Sequence, residues 1–401
     1  PGLPPLKVLE TITLTGSAST VRLPASGNIA DHANFPSGSR HVVVLVSGGC
    51  DRSNTVDGLE AQFNGDTGTN YHWQYIYGAG SGSGAGLGSS TETAHLGLLT
   101  GATAGEPLAG TSTILLPHAF GSDNHKAWIQ MSGGAEHQVF PTTGRWANTA
   151  AITSMLFLPE TGDFVSGTVF KLCVVDESYA IATSAELESD GSFTFDSIPG
   201  TDPNLTAICY LRSTKSSAGD SFRMDINDDA TDSNYTHQYL YTDGSSIYSG
   251  VDASTQIGNI PAGNATAGTF GAYIVSFSQH ALGANDPHMQ FIGGFHELVG
   301  PTSILIHRSH RRNNVEAITK LHFKGNGAAD LAAGSMVSLY GTPKVLLERK
   351  TLTDATTTSV TFTLSGLTIP DNVKDLRLNV YAKGDEASVY DWVSMSINSD
   401  T

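Results

Sequence analysis

The chain has 401 residues and a formal net charge of −17, with 39% hydrophobic and 15% charged side chains. A single core rarely grows beyond about 250–300 residues, so this length predicts two or more domains. The acidic balance disfavours nucleic acid and anionic membranes as partners, because both are bound by basic surfaces.

The cysteines and the hydropathy pattern exclude further classes of protein. Cys50, Cys173 and Cys209 are odd in number and form no CxxC pair, which disfavours a disulfide framework and a zinc ribbon. No stretch approaches the roughly 20 apolar residues of a membrane span. A secretory signal peptide is not recognisable either.

Strands dominate the predicted elements along the chain. His41–Val46 is an apolar run typical of a buried strand, whereas Ser192–Ile198 and Ser359–Leu364 alternate apolar with polar residues. The segment Gly78–Ser90 is rich in glycine and serine and is predicted to be a long surface loop. The best helical candidate, His310–Ala317, is predicted to have at most one or two turns.

Two long segments of the chain resemble each other, and their matching motifs occur in the same order. Long-period self-similarity of this kind is the signature of repeated modules. The matched pairs are Asn70–Tyr77 with Asn234–Tyr241, Thr103–Gly105 with Thr266–Gly268, Gln130–Gly134 with Gln290–Gly294, Ile152–Phe157 with Ile318–Phe323, and Gly167–Leu172 with Gly334–Leu339.

A third copy of the pattern begins near Lys344 and stops before completion, because Ile397–Thr401 matches Phe63–Thr67. We therefore predict a first module at residues 1–175, a second at 176–343 and a partial third at 344–401. Two interpretations of the partial module remain open. Either a longer repeat array is truncated, or the unfinished sheet pairs its open edge with a partner.

Each module is too large for one open sheet, and two stacked sheets bury one face of every strand economically. The expected fold class is all-β, built of tandem jelly-roll-like β-sandwich modules, two complete and one partial.

The repeated motifs resemble a module of tailed-bacteriophage structural proteins. The resemblance is carried by Phe63–Tyr71, the aromatic run to Tyr77, Ala151–Ser154 and the closing Phe164–Leu172, and the second module has the same set. It implies a component of the virion, such as a tail fibre, an appendage or a head-decoration protein. The expected partners are further copies of the chain, in a homo-oligomer, and other virion proteins.

The candidate binding residues are two aromatic rows at alternating positions, which share one face of a strand. Two interpretations remain open for them: a surface on which sugar rings stack, or a ladder that contacts neighbouring strands or subunits, which is the favoured one. The rows consist of Tyr71, Trp73, Tyr75 and Tyr77 in the first module and of Tyr235, His237, Tyr239 and Tyr241 in the second.

The Asn-x-Asp segments at Asn64, Asn227 and Asn398 are predicted to be hairpin turns whose flanking strands pair. Calcium is a weaker alternative for the second one, because Ala230 and Thr236 occupy the positions where a calcium loop of EF type has glycine and glutamate. We therefore expect turns held by side-chain hydrogen bonds rather than by an ion.

Histidines recur between the modules, and we expect partly exposed residues that bond to the backbone. Three imidazoles are a possible zinc or nickel set, but no carboxylate or cysteine recurs beside them, so no metal and no cofactor is predicted. The recurring pairs are His118 with His280, His125 with His288, and His137 with His296.

The segment His307–Arg312 is the one basic cluster, and it fits either a solvated loop or a contact with an acidic neighbour. No catalytic signature is present in the sequence, neither a G-x-S-x-G elbow nor H-E-x-x-H nor a phosphate loop. We expect a non-enzymatic structural protein. The alternatives are an adhesin for host surface glycans and, least favoured, a polysaccharide-degrading enzyme.

Overall fold

The computed structural model describes residues 3–80, 82–105, 110–134, 138–183, 186–199, 204–278, 287–297, 303–327 and 329–341. These residues belong to one compact unit, which extends to Thr342. The partial third module predicted at residues 344–401, including Asn398, lies outside the described residues.

The first module is built from strands joined by turns and one short 3-10 turn at Ile29–Asp31. In chain order its strands are β1 (Leu6–Thr13), β2 (Val21–Leu23), β3 (Val42–Gly48), β4 (Val56–Phe63), β5 (Tyr71–Ala79), β6 (Gly82–Thr91), β7 (Ala94–Thr100), β8 (Gly110–Leu116), β9 (Lys126–Gly134), β10 (Gln138–Trp146), β11 (Met155–Pro159) and β12 (Val169–Val175).

The second module repeats this series, with 3-10 turns at Glu177–Tyr179 and Asp232–Asn234. Its strands are β13 (Ala180–Thr183), β14 (Phe193–Phe195), β15 (Asn204–Leu211), β16 (Gly219–Ile226), β17 (Tyr235–Thr242), β18 (Ile247–Asp252), β19 (Gln256–Pro261), β20 (Gly271–Ser278), β21 (His288–Phe295), β22 (Ile304–Arg312), β23 (Leu321–Lys324) and β24 (Met336–Gly341).

The strand order of each module is that of a jelly roll with an addition. In the first module the small sheet has the order β2-β11-β4-β7, and one half of the large sheet has the order β1-β12-β3-β8. These eight strands are the two facing four-stranded sheets of a jelly roll. The predicted all-β fold of jelly-roll-like sandwiches is therefore confirmed for both modules.

The addition consists of two hairpins that widen the large sheet to eight strands. In the first module β9-β10-β5-β6 continues the sheet beyond β8, and in the second β21-β22-β17-β18 continues it beyond β20. We call each set of four strands the extension. A jelly roll is complete without it, so the extension is a place where function can be added to the fold.

The large sheets of the two modules pack against each other. Val42, Val44 and Val46 point into the core of the first module, whereas Val43, between them, lies in a second apolar layer shared by both modules. A strand that is buried on both faces is apolar at consecutive positions, which explains the run at residues 42–46. This shared layer, the interface core, includes Val43, Ile129, Cys173, Ile208, Tyr210, Phe270, Ile274 and Tyr340.

Polar contacts also join the two large sheets. The amide of Gln74 on β5 donates to the carbonyl oxygen of Phe295 at 3.0 Å. The ring nitrogen Nε2 of His41 lies 3.2 Å from the hydroxyl of Ser338. Because these buried groups find partners across the boundary, the two modules are held by hydrogen bonds as well as by apolar contact.

Three local predictions were wrong. Residues 82–90, expected within a loop, belong to the edge strand β6, which pairs with β5. The Asn-x-Asp turns at Asn64 and Asn227 do not close hairpins, because β4 and β16 belong to the small sheets and β5 and β17 to the large ones. The segment from His310 continues strand β22 to Arg312 and is not helical.

Candidate functional site

The aromatic row of the first module lies on β5, in the extension. Trp73, Tyr75 and Tyr77 share one face of the strand, with ring centroids 5.9 Å and 6.2 Å apart along the row. Burial decreases outwards, and Tyr77, at the end of the row, is 36% exposed. The predicted common face is therefore confirmed for these three rings.

The rings lie over the glycines of the neighbouring strand β6. A Cβ atom added to any of three glycines would come within 2.5 Å of an aromatic side chain on β5, closer than real Cβ atoms approach. Each of these glycines is the cross-strand partner of one ring: Gly88 of Trp73, Gly86 of Tyr75 and Gly84 of Tyr77. The alternate glycines therefore let the rings lie across the edge of the sheet.

The inner end of this row is bordered by His95 on β7 and Phe140 on β10. The Phe140 ring is 4.5 Å from that of Tyr75, and the imidazole of His95 is 5.0 Å from Trp73. Burial lowers the pKa of His95 to about 4, so this imidazole is uncharged at neutral pH. The inner end of the row is consequently bordered by an aromatic ring and an uncharged imidazole.

The second module has a related row with a cation beneath it. Tyr239 and Tyr241 are 5.9 Å apart, and Tyr241 stacks on Tyr248 of β18 at 4.7 Å. The guanidinium carbon of Arg308 lies 5.3 Å from the centre of the Tyr239 ring, a cation–π distance. A Cβ on Gly250 would clash with Tyr239, so the packing of a ring over a cross-strand glycine occurs in this module as well.

Three of the eight candidate residues are not accessible. Tyr71 and Tyr235 are fully buried in the cores of their modules, and His237 is 3% exposed. The Tyr71 hydroxyl accepts from the backbone N–H of Phe63 at 2.8 Å and donates to the carbonyl of Asp66 at 3.0 Å. These residues therefore act in the structure of the modules, and a sugar-stacking surface could include only the other residues of the two rows.

The turn at Asn64 is held by its own side chains, as expected. Asn64 adopts a positive φ of 55°, and its amide donates to the carbonyl of Ala151 at 2.8 Å. Its carboxamide oxygen accepts from the backbone N–H groups of Thr153 and Ser154, at 2.7 Å and 3.1 Å. This turn therefore links two of the repeated motifs, the one that follows β4 and the one that leads into β11, where Phe63 pairs with Met155.

Asn227 makes the same bonds in the second module, to Ala317, Thr319 and Lys320. The carboxylate of Asp229, the calcium candidate, accepts from the N–H of Thr231 at 3.1 Å and from Arg312 at 3.2 Å. Among the described residues, no group of three His, Cys, Asp or Glu side chains is arranged to hold a metal ion.

The basic cluster is part of a strand, and the prediction of a solvated loop was wrong. Arg308, His310 and Arg312 point into the second module, and each is at most 6% exposed. Arg308 donates to the carbonyl of Gln256 at 2.6 Å, and His310 contacts the carbonyl of Ser254 at 2.9 Å. These buried polar groups thus find partners on strand β19 and the residues before it.

Three of the recurring histidines, His118, His125 and His296, lie at the boundary between the modules. His118 and His296 are 6% and 1% exposed, so the expectation of partial exposure was wrong for both. His118 is 3.3 Å from the carboxylate of Glu186 in the second module. His137 and His280 lie outside the described residues.

The packing of the β5 rings over the glycines of β6 has a signal in the sequence. Glycines at residues 82, 84, 86 and 88 alternate with the same period of two as the rings of β5. The roles of His95, Phe140 and Arg308 depend on contacts between distant strands, for which a single sequence offers no local signal.

Comparisons with known proteins add little to this description. No family model matches the chain, and no curated protein matches it. Among solved structures, the chain is similar to domains LG4-5 of the mouse laminin alpha1 chain, with 9% sequence identity, coverage of 82% of this chain and 86% of that chain, and a TM-score of 0.18. The assignment of the jelly roll therefore rests on strand order. No helix among the described residues is long and apolar enough to span a membrane.

Proposed function

We propose that the chain is a non-enzymatic structural protein of a phage particle, in which tandem jelly rolls act as a stiff element that displays contact surfaces. The observation that carries the proposal is the interface core, which joins the two large sheets over residues such as Ile129, Cys173, Ile208 and Tyr210. Modules joined by a buried apolar layer move as one body, whereas modules joined by a linker alone do not.

The edges of the large sheets offer places for contacts with other subunits. Strands β6 and β18 are terminal strands of their sheets, and each pairs on one side with the preceding strand of its hairpin. The outward backbone groups of a terminal strand can pair with another chain. The resemblance of the repeated motifs to phage structural modules supports a virion as the setting.

Mass spectrometry of purified phage particles from the source culture tests this proposal. We expect peptides from both modules at a copy number typical of a structural component, and a multimer of the chain in solution. Absence of these peptides from intact particles, together with a monomer in solution, would contradict it.

A second candidate function, binding of surface glycans, is favoured by the exposed outer part of the aromatic rows. Tyr77 and Tyr248 are 36% and 41% exposed, and each lies next to further rings of its row. Pyranose rings stack on flat aromatic surfaces of this kind. Phage adhesins and inert virion components are both compatible with a stiff pair of modules.

Glycan-array binding of the wild type and of the variant Tyr77→Ala/Tyr248→Ala tests this candidate. Loss of two stacking rings is expected to weaken binding about tenfold. Val139→Ala, which removes a 64% exposed apolar side chain from the opposite face of the extension, is the matched control. Absence of binding to any glycan would reject the adhesin, and release of reducing ends from a bound polysaccharide would indicate an enzyme instead.

A further inference from the structure

The boundary between the modules contains a buried contact between two histidine rings. His72 of β5 and His296, which follows β21, stack with centroids 5.7 Å apart and an angle of 24°. Their exposed fractions are 2% and 1%. The ring nitrogen Nδ1 of His72 accepts the backbone N–H of Ser90 at 3.0 Å. An acceptor nitrogen carries no proton, so this hydrogen bond holds the imidazole in its neutral form.

A buried arginine lies beside the two rings. Arg145 of β10 is the cross-strand partner of His72, and its side chain is completely buried. One guanidinium nitrogen donates to the hydroxyl of Thr269 in the second module, while Nε and Nη2 have no hydrogen-bond partner. The positive charge is therefore incompletely compensated at this point of the boundary.

The remaining charged groups around the rings do not balance an added proton. Lys126 of the first module and Arg212 of the second add to the positive potential, since both lower the pKa of His125 and Arg212 also lowers that of Arg145. Glu297 attracts Arg145 and Arg212, but it is not among the groups that shift the pKa of His72 or His296. A proton on His72 or His296 would thus enter a site that is already cationic.

We propose that the contact between His72 and His296 is an acid-sensitive latch, which keeps the two jelly rolls packed at neutral pH and releases them when the rings take up protons. Protonation breaks the hydrogen bond from Ser90 and places like charges beside Arg145. Each jelly roll keeps its own core, because the latch belongs to the layer between them. The region that opens first in acid is therefore the interface core.

The pKa values give the direction and the range of the effect. Burial, then Arg145 and His125, lowers the pKa of His72 to about 4, and burial, then His72 and Arg145, lowers that of His296 to about 3. An exposed histidine has a pKa near 6.5. The separated form therefore binds protons that the packed form does not, and packing weakens as the pH falls from about 6.5 towards 4.

The three cysteines of the chain report on this opening, because each lies in a different apolar layer. Cys50 is in the core of the first module, Cys209 in that of the second, and Cys173 in the interface core. The native chain is treated with a dipyridyl disulfide, which reacts with thiols in acid as well as at neutral pH. Mass spectrometry then gives the labelling rate of each cysteine, normalised to its rate in the unfolded chain.

We expect the normalised labelling of Cys173 to be roughly tenfold or more faster at pH 4.5 than at pH 7.5, with Cys50 and Cys209 still protected. The variant His72→Gln/His296→Gln should reduce this acceleration at least about threefold, because glutamine can accept the N–H of Ser90 without taking up a proton. Acceleration equal to that of the wild type would overturn the latch.

His32→Gln is the matched control, because Nδ1 of His32 also accepts a backbone N–H, from Asn34 at 3.2 Å, outside the boundary. Small-angle scattering of the wild type gives a second readout that needs no variant. We expect the radius of gyration to grow at pH 4.5 while the far-ultraviolet dichroism is unchanged. Simultaneous labelling of all three cysteines, or an unchanged radius, would refute the proposal.

Discussion

Replacing Trp128 by alanine is expected to lower the free energy of unfolding by about 3–5 kcal/mol. The indole is completely buried at the centre of the first core, and its ring meets that of Phe63 edge to face at 5.8 Å. A Cβ on Gly144 would lie 2.1 Å from it, so the backbone of β10 packs directly on the ring. The cavity left by alanine cannot close without moving that strand.

Urea denaturation followed by dichroism measures this loss. Trp128→Phe is the matched comparison, since it keeps an aromatic ring and the indole nitrogen has no hydrogen-bond partner to lose. We expect its cost to be less than half that of the alanine variant. A loss below about 1 kcal/mol for Trp128→Ala would contradict the position of this side chain in the core.

Replacing Asn64 by alanine is expected to cost roughly 2–4 kcal/mol, the second largest effect. The side chain bonds to Ala151, Thr153 and Ser154, and its loss leaves backbone groups of that segment without partners. Alanine is also strained at a φ of 55°.

Asn64→Gly separates the two causes, because glycine accepts the positive φ but makes none of the hydrogen bonds. Thermal unfolding should place Asn64→Gly between the wild type and Asn64→Ala. Asn28→Ala is the control, since that exposed side chain donates to Asp31 and its removal should change stability by less than about 0.5 kcal/mol. Equal stability of Asn64→Ala and Asn28→Ala would show that the turn does not hold the motifs together.

The jelly-roll fold could be predicted from the sequence because the same motifs occur in two modules. The second copy of each motif marks which residues the fold needs, and apolar runs such as His41–Val46 mark strands. The run also contained the evidence for the stacked modules, since Val43 faces the interface core while its neighbours face inwards. The sequence alone does not distinguish a strand that is buried on both faces from a strand that is buried on one face; the structure does.

The errors came from features whose meaning depends on distant residues. Residues 82–90 were assigned to a loop because glycine and serine are common in loops, yet here alternate glycines pack under the rings of β5. The Asn-x-Asp segment was interpreted as a hairpin because asparagine and aspartate are common in turns. Whether the next strand joins the same sheet is decided by pairing with β10, far along the chain.

The candidate site was predicted in part. The alternation of aromatic residues placed Trp73, Tyr75 and Tyr77 on one face of the strand. It did not show that Tyr71, at the start of the same strand, is buried in the core. The arginines of the basic cluster were assigned to the surface because buried arginine is rare. The structure instead places Arg308 against the ring of Tyr239, a contact between two strands of the extension.

Thiol labelling at neutral pH is the most direct test of the central claim that two jelly rolls pack through their large sheets. We expect Cys173, in the interface core, to be protected as strongly as Cys50 and Cys209 in the cores of the modules. Rapid labelling of Cys173 while the other two cysteines stay protected would contradict it, because the modules would then be folded but not packed together.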